Sequence, residues 1–97
     1  MDFRIPAHRL IFRPLGREAA HGQCDSAKRT IELDPRAPNL LLIFLHELEH
    51  LKYPKKSETA VWRDSRALLK SLDWSGRARL YKALGKAHVG HVSAQSG

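Results

Sequence analysis

The sequence predicts an α+β fold: a small antiparallel β-sheet of about three strands, packed on one apolar helix that is followed by two further helices. Three observations predict it. Residues 29–34, RTIELD, alternate apolar and polar side chains, as a half-buried strand does. Residues 40–51, LLLIFLHELEHL, place apolar groups at helical spacing and end just before a proline-bounded link. Beyond that link, SETAVWRDSRALLKSL and the segment after it each carry a helical period with a polar cap at the start.

Taken in order, residues 8–15, HRLIFRPL, mix β-branched and aromatic residues and read as a strand ending near Pro14. Residues 16–23 read as a loop or a short strand pair. In RTIELD, Ile31 and Leu33 share one face, with Thr30, Glu32 and Asp34 on the other. Pro35 and Pro38 stop the sheet, and Pro38 suits the first turn of a helix that runs to Tyr53. On that helix Leu41, Phe44, Leu45, Leu48 and Leu51 form the core face. His46 and His50 lie opposite it, one turn apart. Pro54 ends the helix, because the residue before a proline is pushed out of the α region. Ser57 is a suitable N-cap for a second helix over 58–72, with Val61, Leu68 and Leu72 inward. Asp73 or Ser75 caps a third, to about Ala87, with Leu80, Ala83, Leu84 and Ala87 inward. Residues 88–97, HVGHVSAQSG, read as a flexible tail, which leaves 1–87 as a single domain.

A chain of 97 residues is expected to form one core. Its one cysteine, Cys24, has no intramolecular partner, as expected in a reducing compartment. The first residues lack the pattern of a secretory signal, and the longest uncharged apolar run, 40–45, is too short to span a bilayer. These features predict a cytoplasmic protein with no membrane partner. The net charge is +7. Residues 1–51 balance seven Lys/Arg with seven Asp/Glu, whereas residues 52–86 hold ten Lys/Arg against Glu58, Asp64 and Asp73. The basic half suits an acidic partner or nucleic acid, or simply a solvated helical face.

Residues 46–50, HELEH, carry the chemistry. Residues four apart on a helix project from one face, so His46 and His50 can reach one ion. Zn²⁺ suits such a pair, at about 2.0–2.1 Å from each nitrogen. Glu47 points beside the ion, where it can take the proton of a water attacking a carbonyl. Glu49 points to the other side and reads as solvated. The alternative is a structural helix with incidental polar groups, which strands two imidazoles and a carboxylate near a core.

A zinc site needs a third protein ligand. Glu58 is the nearest good candidate. In a continuous helix it would lie about 12 Å beyond His50, but Pro54 breaks the helix, and the link 53–56 can turn the chain back. Glu58 could also simply favour the helix dipole in a first turn. His21, His88, His91 and Asp64 are rival ligands.

Strands, an HExxH helix and a downstream glutamate, carried by TIELDPRAPNLLLIFLHELEHLKYPKKSE, resemble the gluzincin metallopeptidases in their shortest form, the minigluzincins and related phage and bacterial proteins. Residues 29–72 carry the resemblance. It implies Zn²⁺ on His46, His50 and Glu58, Glu47 as general base, and a sheet edge that holds an extended peptide. It also implies a terminal segment that can lie in the cleft, a role open to residues 85–97. Two features depart from the pattern. Trp62 stands where larger gluzincins carry an Asp that supports a zinc histidine. No clear oxyanion donor is present, Tyr53 and His21 being the candidates.

Three functions follow from these residues: a zinc metallopeptidase acting on peptide or protein, a basic nucleic-acid-binding or regulatory module, and a small domain held by a structural zinc. For the second, Arg63, Arg66 and Lys70 line one side of the second helix, and Arg79, Lys82 and Lys86 one side of the third.

Overall fold

The computed structural model describes residues 5–15 and 21–89. Its fold is α+β, with elements in the order β1 (Arg9–Phe12), β2 (Gly22–Asp25), β3 (Thr30–Leu33), α1 (Leu40–Lys52), α2 (Glu58–Ser71), α3 (Trp74–Leu84) and β4 (His88–Val89). The strands and three helices predicted from the sequence are present, with ends shifted by a few residues.

The antiparallel pairing expected of the sheet holds for β2 with β3, while β3 and β4 both run parallel to β1. The strand order is β2-β3-β1-β4. Sidedness explains the difference. The chain after β1 carries β2 out to the far edge, and β3 returns into the gap between them, beside β1 and in its direction. No local pattern in a strand encodes which neighbour it will have. His88 and Val89, the first two residues of the segment read as a tail, form β4. The rest of that segment lies outside the described residues, as does His91.

The β3 alternation emerges as predicted on its buried face: Ile31 and Leu33 are fully buried. On the other face Glu32 takes a bidentate contact from Arg13, at 2.9 and 3.1 Å, and a hydrogen bond from Gln23, linking three strands. Arg13 holds the Glu32 carboxyl below its ordinary range. Asp34 is buried rather than solvated. Its carboxylate accepts the Leu15 and Arg36 N–H groups and the Arg36 guanidinium, which pull its pKa down to about 2.

Helix α1 starts at Leu40, two residues later than the proline suggests. Asn39 caps it in a left-handed conformation, φ 53°, which asparagine tolerates better than most residues. The helix lies between the sheet and α2, so both sides are covered and the run is apolar nearly all round. Phe44, Leu45, Leu48 and Leu51 sit in the core with Leu10, Ile31 and Leu33. Leu80 and Leu84 of α3 join that core, with Ala83 and Ala87 partly buried against it. Ser57 caps α2 by accepting Ala60 N–H at 3.2 Å, and Asp73 caps α3 by accepting Gly76 N–H at 2.8 Å.

Gly22 sets the distance between β2 and α1. A Cβ there would lie 2.9 Å from Leu33 Cδ2, 3.0 Å from Ile43 Cγ2 and 3.3 Å from Glu47 Cγ. Gly22→Ala should therefore destabilise the fold by about 1–3 kcal/mol, the usual cost of overpacking a filled interior. Urea denaturation measures it, and an unchanged midpoint would show that the two elements are less tightly apposed.

Candidate metal centre

Three side chains from two helices meet at one end of the α1–α2 hairpin. His46 and His50 project from α1 one turn apart, and Glu58 is the first residue of α2. His46 Nε2 lies 3.0 Å from Glu58 Oε2, His50 Nε2 lies 2.7 Å from Glu58 Oε1, and the two imidazole nitrogens are 3.2 Å apart. These are the three residues that can hold a metal ion among those described, all ligand atoms lying within 4.8 Å of one another. Four ligands about 2.0–2.1 Å from a tetrahedral ion sit about 3.3 Å from each other. The observed spacings are at or just below that value, so a small ion fits with little movement.

Rotation of the chain at residues 53–57 supplies Glu58, as its position after Pro54 predicts. Lys56 fastens the turn. Its ammonium binds Glu49 of α1 at 2.6 Å and Asp64 of α2 at 2.5 Å, and Asp64 also takes Arg63 at 3.0 Å. Glu49, read from the sequence as solvated, is thus a clamp residue. Asp64, a rival ligand in the sequence, is committed to the same clamp. His21 is not in the group, and neither His21 nor Tyr53 lines the cleft described below.

His46 is buried, and burial pulls its pKa down while Glu58 pushes it up. Desolvation dominates and keeps the imidazole neutral, as a ligand must be. A ligand histidine ordinarily donates its second N–H to a carboxylate or carbonyl. Among the described residues His46 Nδ1 is buried without a partner, and the ring packs against an indole. The Trp62 ring lies 3.9 Å away, centroid to centroid, tilted by 36°.

Glu47 is 6% exposed and faces the cleft beside the three-residue group. Burial, then the Glu58 carboxylate, push its pKa from 4.5 to about 7. The cleft holds about 310 Å³. One wall is the edge strand, through Gly22, Cys24 and the following Ser26, and the other is the hairpin. Sequence reasoning missed this wall. GQCD has no β-branched residue, and Cys24 spoke only to redox compartment. Burial, Glu47 and Asp25 raise the Cys24 thiol to about 11, so it faces the cleft as a neutral thiol.

Two outcomes follow. Between pH 4.5 and about 7 the folded, metal-free chain keeps a Glu47 proton that the unfolded chain has released. The contribution of Glu47 to stability is greatest below this window and falls by about 3 kcal/mol as pH rises through it. Metal-free Glu47→Gln should therefore exceed the parent in stability near pH 8 and match it near pH 4.5, by denaturation at both. In addition, Trp62 should report metal binding. Zn²⁺ should change the fluorescence of Trp74→Phe, which keeps Trp62, and leave Trp62→Phe nearly unaltered, since Trp74 is 86% exposed. Comparison with known proteins yields no matching family model, no matching curated protein and no matching solved structure.

Proposed function

We propose that the chain is a zinc-dependent metallopeptidase of gluzincin type, with His46, His50 and Glu58 holding Zn²⁺ and Glu47 as general base. One observation carries the reading: a buried carboxylate, Glu47, stands beside a three-residue group that can hold a metal ion, in a cleft walled by a sheet edge. A solvated surface glutamate has no such environment, and a general base must stand within reach of the proton it takes.

Two imidazoles and a carboxylate suit Zn²⁺, which polarises a carbonyl oxygen and makes water more acidic. Glu47 takes the proton that an attacking water loses and returns it to the departing amine. The outer edge of β2 offers backbone groups with which an extended peptide can pair. A structural zinc site is closed by four protein ligands. Among the described residues three converge, and the fourth direction is a cleft rather than a side chain.

The test combines metal content by elemental mass spectrometry with hydrolysis of an unfolded protein such as casein. Wild type should bind one zinc. Glu58→Ala should weaken it by about a hundredfold or more, the upper range for a supporting partner being about that much. Glu47→Gln should keep the zinc and lose about 10²–10⁴ in rate. Wild type that takes up no zinc sinks the whole reading. Zinc uptake with no hydrolysis sensitive to Glu47 sinks the peptidase and leaves a binding site.

A further inference from the structure

A second region of the chain has its own chemistry. A groove of about 600 Å³ runs between the segment leading into β1 and the helix α3. Its floor is apolar, from Ile5, Leu10 and Ala83. Its polar lining is His8, Arg9, Arg79, Lys82 and Lys86, with no carboxylate among the lining residues. The groove shares no residue with the metal-site cleft, and β1 is separated from the cleft-forming strand β2 by β3.

The cations in this groove are exposed, and none has a side-chain partner among the described residues. Elsewhere the charges are used. Glu32 holds Arg13, Asp34 holds Arg36, and Glu49 and Asp64 hold Lys56. Asp25 accepts the Lys28 N–H in its turn, Asp73 caps α3, and Glu47 and Glu58 belong to the metal site. Those are all the described acids, and none turns toward the groove. The basic side of α2 predicted from the sequence is different: Arg63 is paired with Asp64, and Arg66 lies 5.3 Å over the Trp62 ring. Four cations, Arg9, Arg79, Lys82 and Lys86, thus line one groove with no carboxylate among its lining residues, while Lys28, Lys55 and Lys70 lie outside it.

We infer that this groove binds the phosphate backbone of a nucleic acid, independently of base sequence. Arg79 and Lys82 lie one turn apart on α3, about 4.5 Å along its axis, and Lys86 follows in the turn just past its end. Arg9 stands across the groove from them. Such a row matches a line of repeating negative charges better than a single acidic side chain, which needs one cation. The apolar floor can receive sugar faces. No helix-turn-helix or zinc-finger arrangement occurs among the described residues, and contacts to phosphates position a duplex without specifying its sequence.

Fluorescence anisotropy with a labelled mixed-sequence 20-base-pair DNA tests this on the full chain. Four phosphate contacts predict a log–log salt slope near about −3.6. Arg79→Glu with Lys82→Glu should weaken binding at least tenfold. Lys55→Glu with Lys70→Glu changes net charge equally and lies outside the groove, so it should weaken binding less than threefold. Circular dichroism and zinc content, unchanged in both doubles, exclude misfolding. Equal losses in the two doubles would overturn the groove in favour of diffuse charge. Undetectable binding in low salt would overturn the proposal outright. Tighter binding of a poly-glutamate chain than of DNA would reassign the groove to an acidic protein.

Discussion

The site depends on one reversal of the chain. His46 and His50 come for nothing once α1 is helical, because residues four apart share a face. Glu58 does not. It reaches them because Pro54 stops α1, the Lys56 N–H bonds Tyr53 C=O at 3.0 Å to close the turn, and Ser57 starts α2 at once. A single ion pair on a surface contributes little. Lys56 does more because it is shared by carboxylates of two helices, Glu49 and Asp64, and so fixes the angle at which they meet. Asp64 raises the Lys56 pKa and Lys56 lowers that of Asp64, so the contact stays charged throughout the ordinary pH range. The basic residue and the acidic ones that look like unrelated surface charge in the sequence are one fastening.

How much of the fold was legible follows from how local each signal is. The helices were legible to within about three residues, because caps and proline act within a turn: Ser57 caps α2 as read, Asp73 is the one of two candidates that caps α3, and Pro54 follows the end of α1. The faces of β3 were legible from Ile31 and Leu33. The sheet order was not, since β3 lies beside β1 only through the path of the intervening chain. β2 was the least visible element. Its GQCD carries no strand propensity, and its place is fixed by tertiary contact, with Gly22 admitting α1 at close range.

The candidate site divides the same way. HELEH offers two candidate ligands and a candidate base by spacing alone. Glu58 was readable only by assuming a reversal, and the structure makes that reversal. Glu49 and Asp64 were misjudged because their partner, Lys56, lies outside their own helices. That Trp62 packs on the His46 ring had no signal in the sequence, and among the described residues the Nδ1 of that ring has no partner. Cys24 and Ser26 had no spacing signal at all, since only the pairing of β2 beside β3 brings them to the cleft.

Burial of Glu47 shows what the site costs the fold. A small domain has little core to offset it, yet it encloses a carboxylate that loses hydration and faces another carboxylate, Glu58. Both unfavourable effects act on the charged form. A cation at the three-residue group would oppose both effects, since it would attract Glu58 and Glu47 alike and draw the Glu47 pKa back down. A ligand that binds only the folded chain also adds stability by mass action, about 4 kcal/mol at a thousandfold excess over Kd. That is the same order as the penalty carried by Glu47. The arrangement is therefore self-consistent when a cation is bound and strained when it is not. The burial of Glu47 is thus a cost to stability that a cation held by His46, His50 and Glu58 could offset.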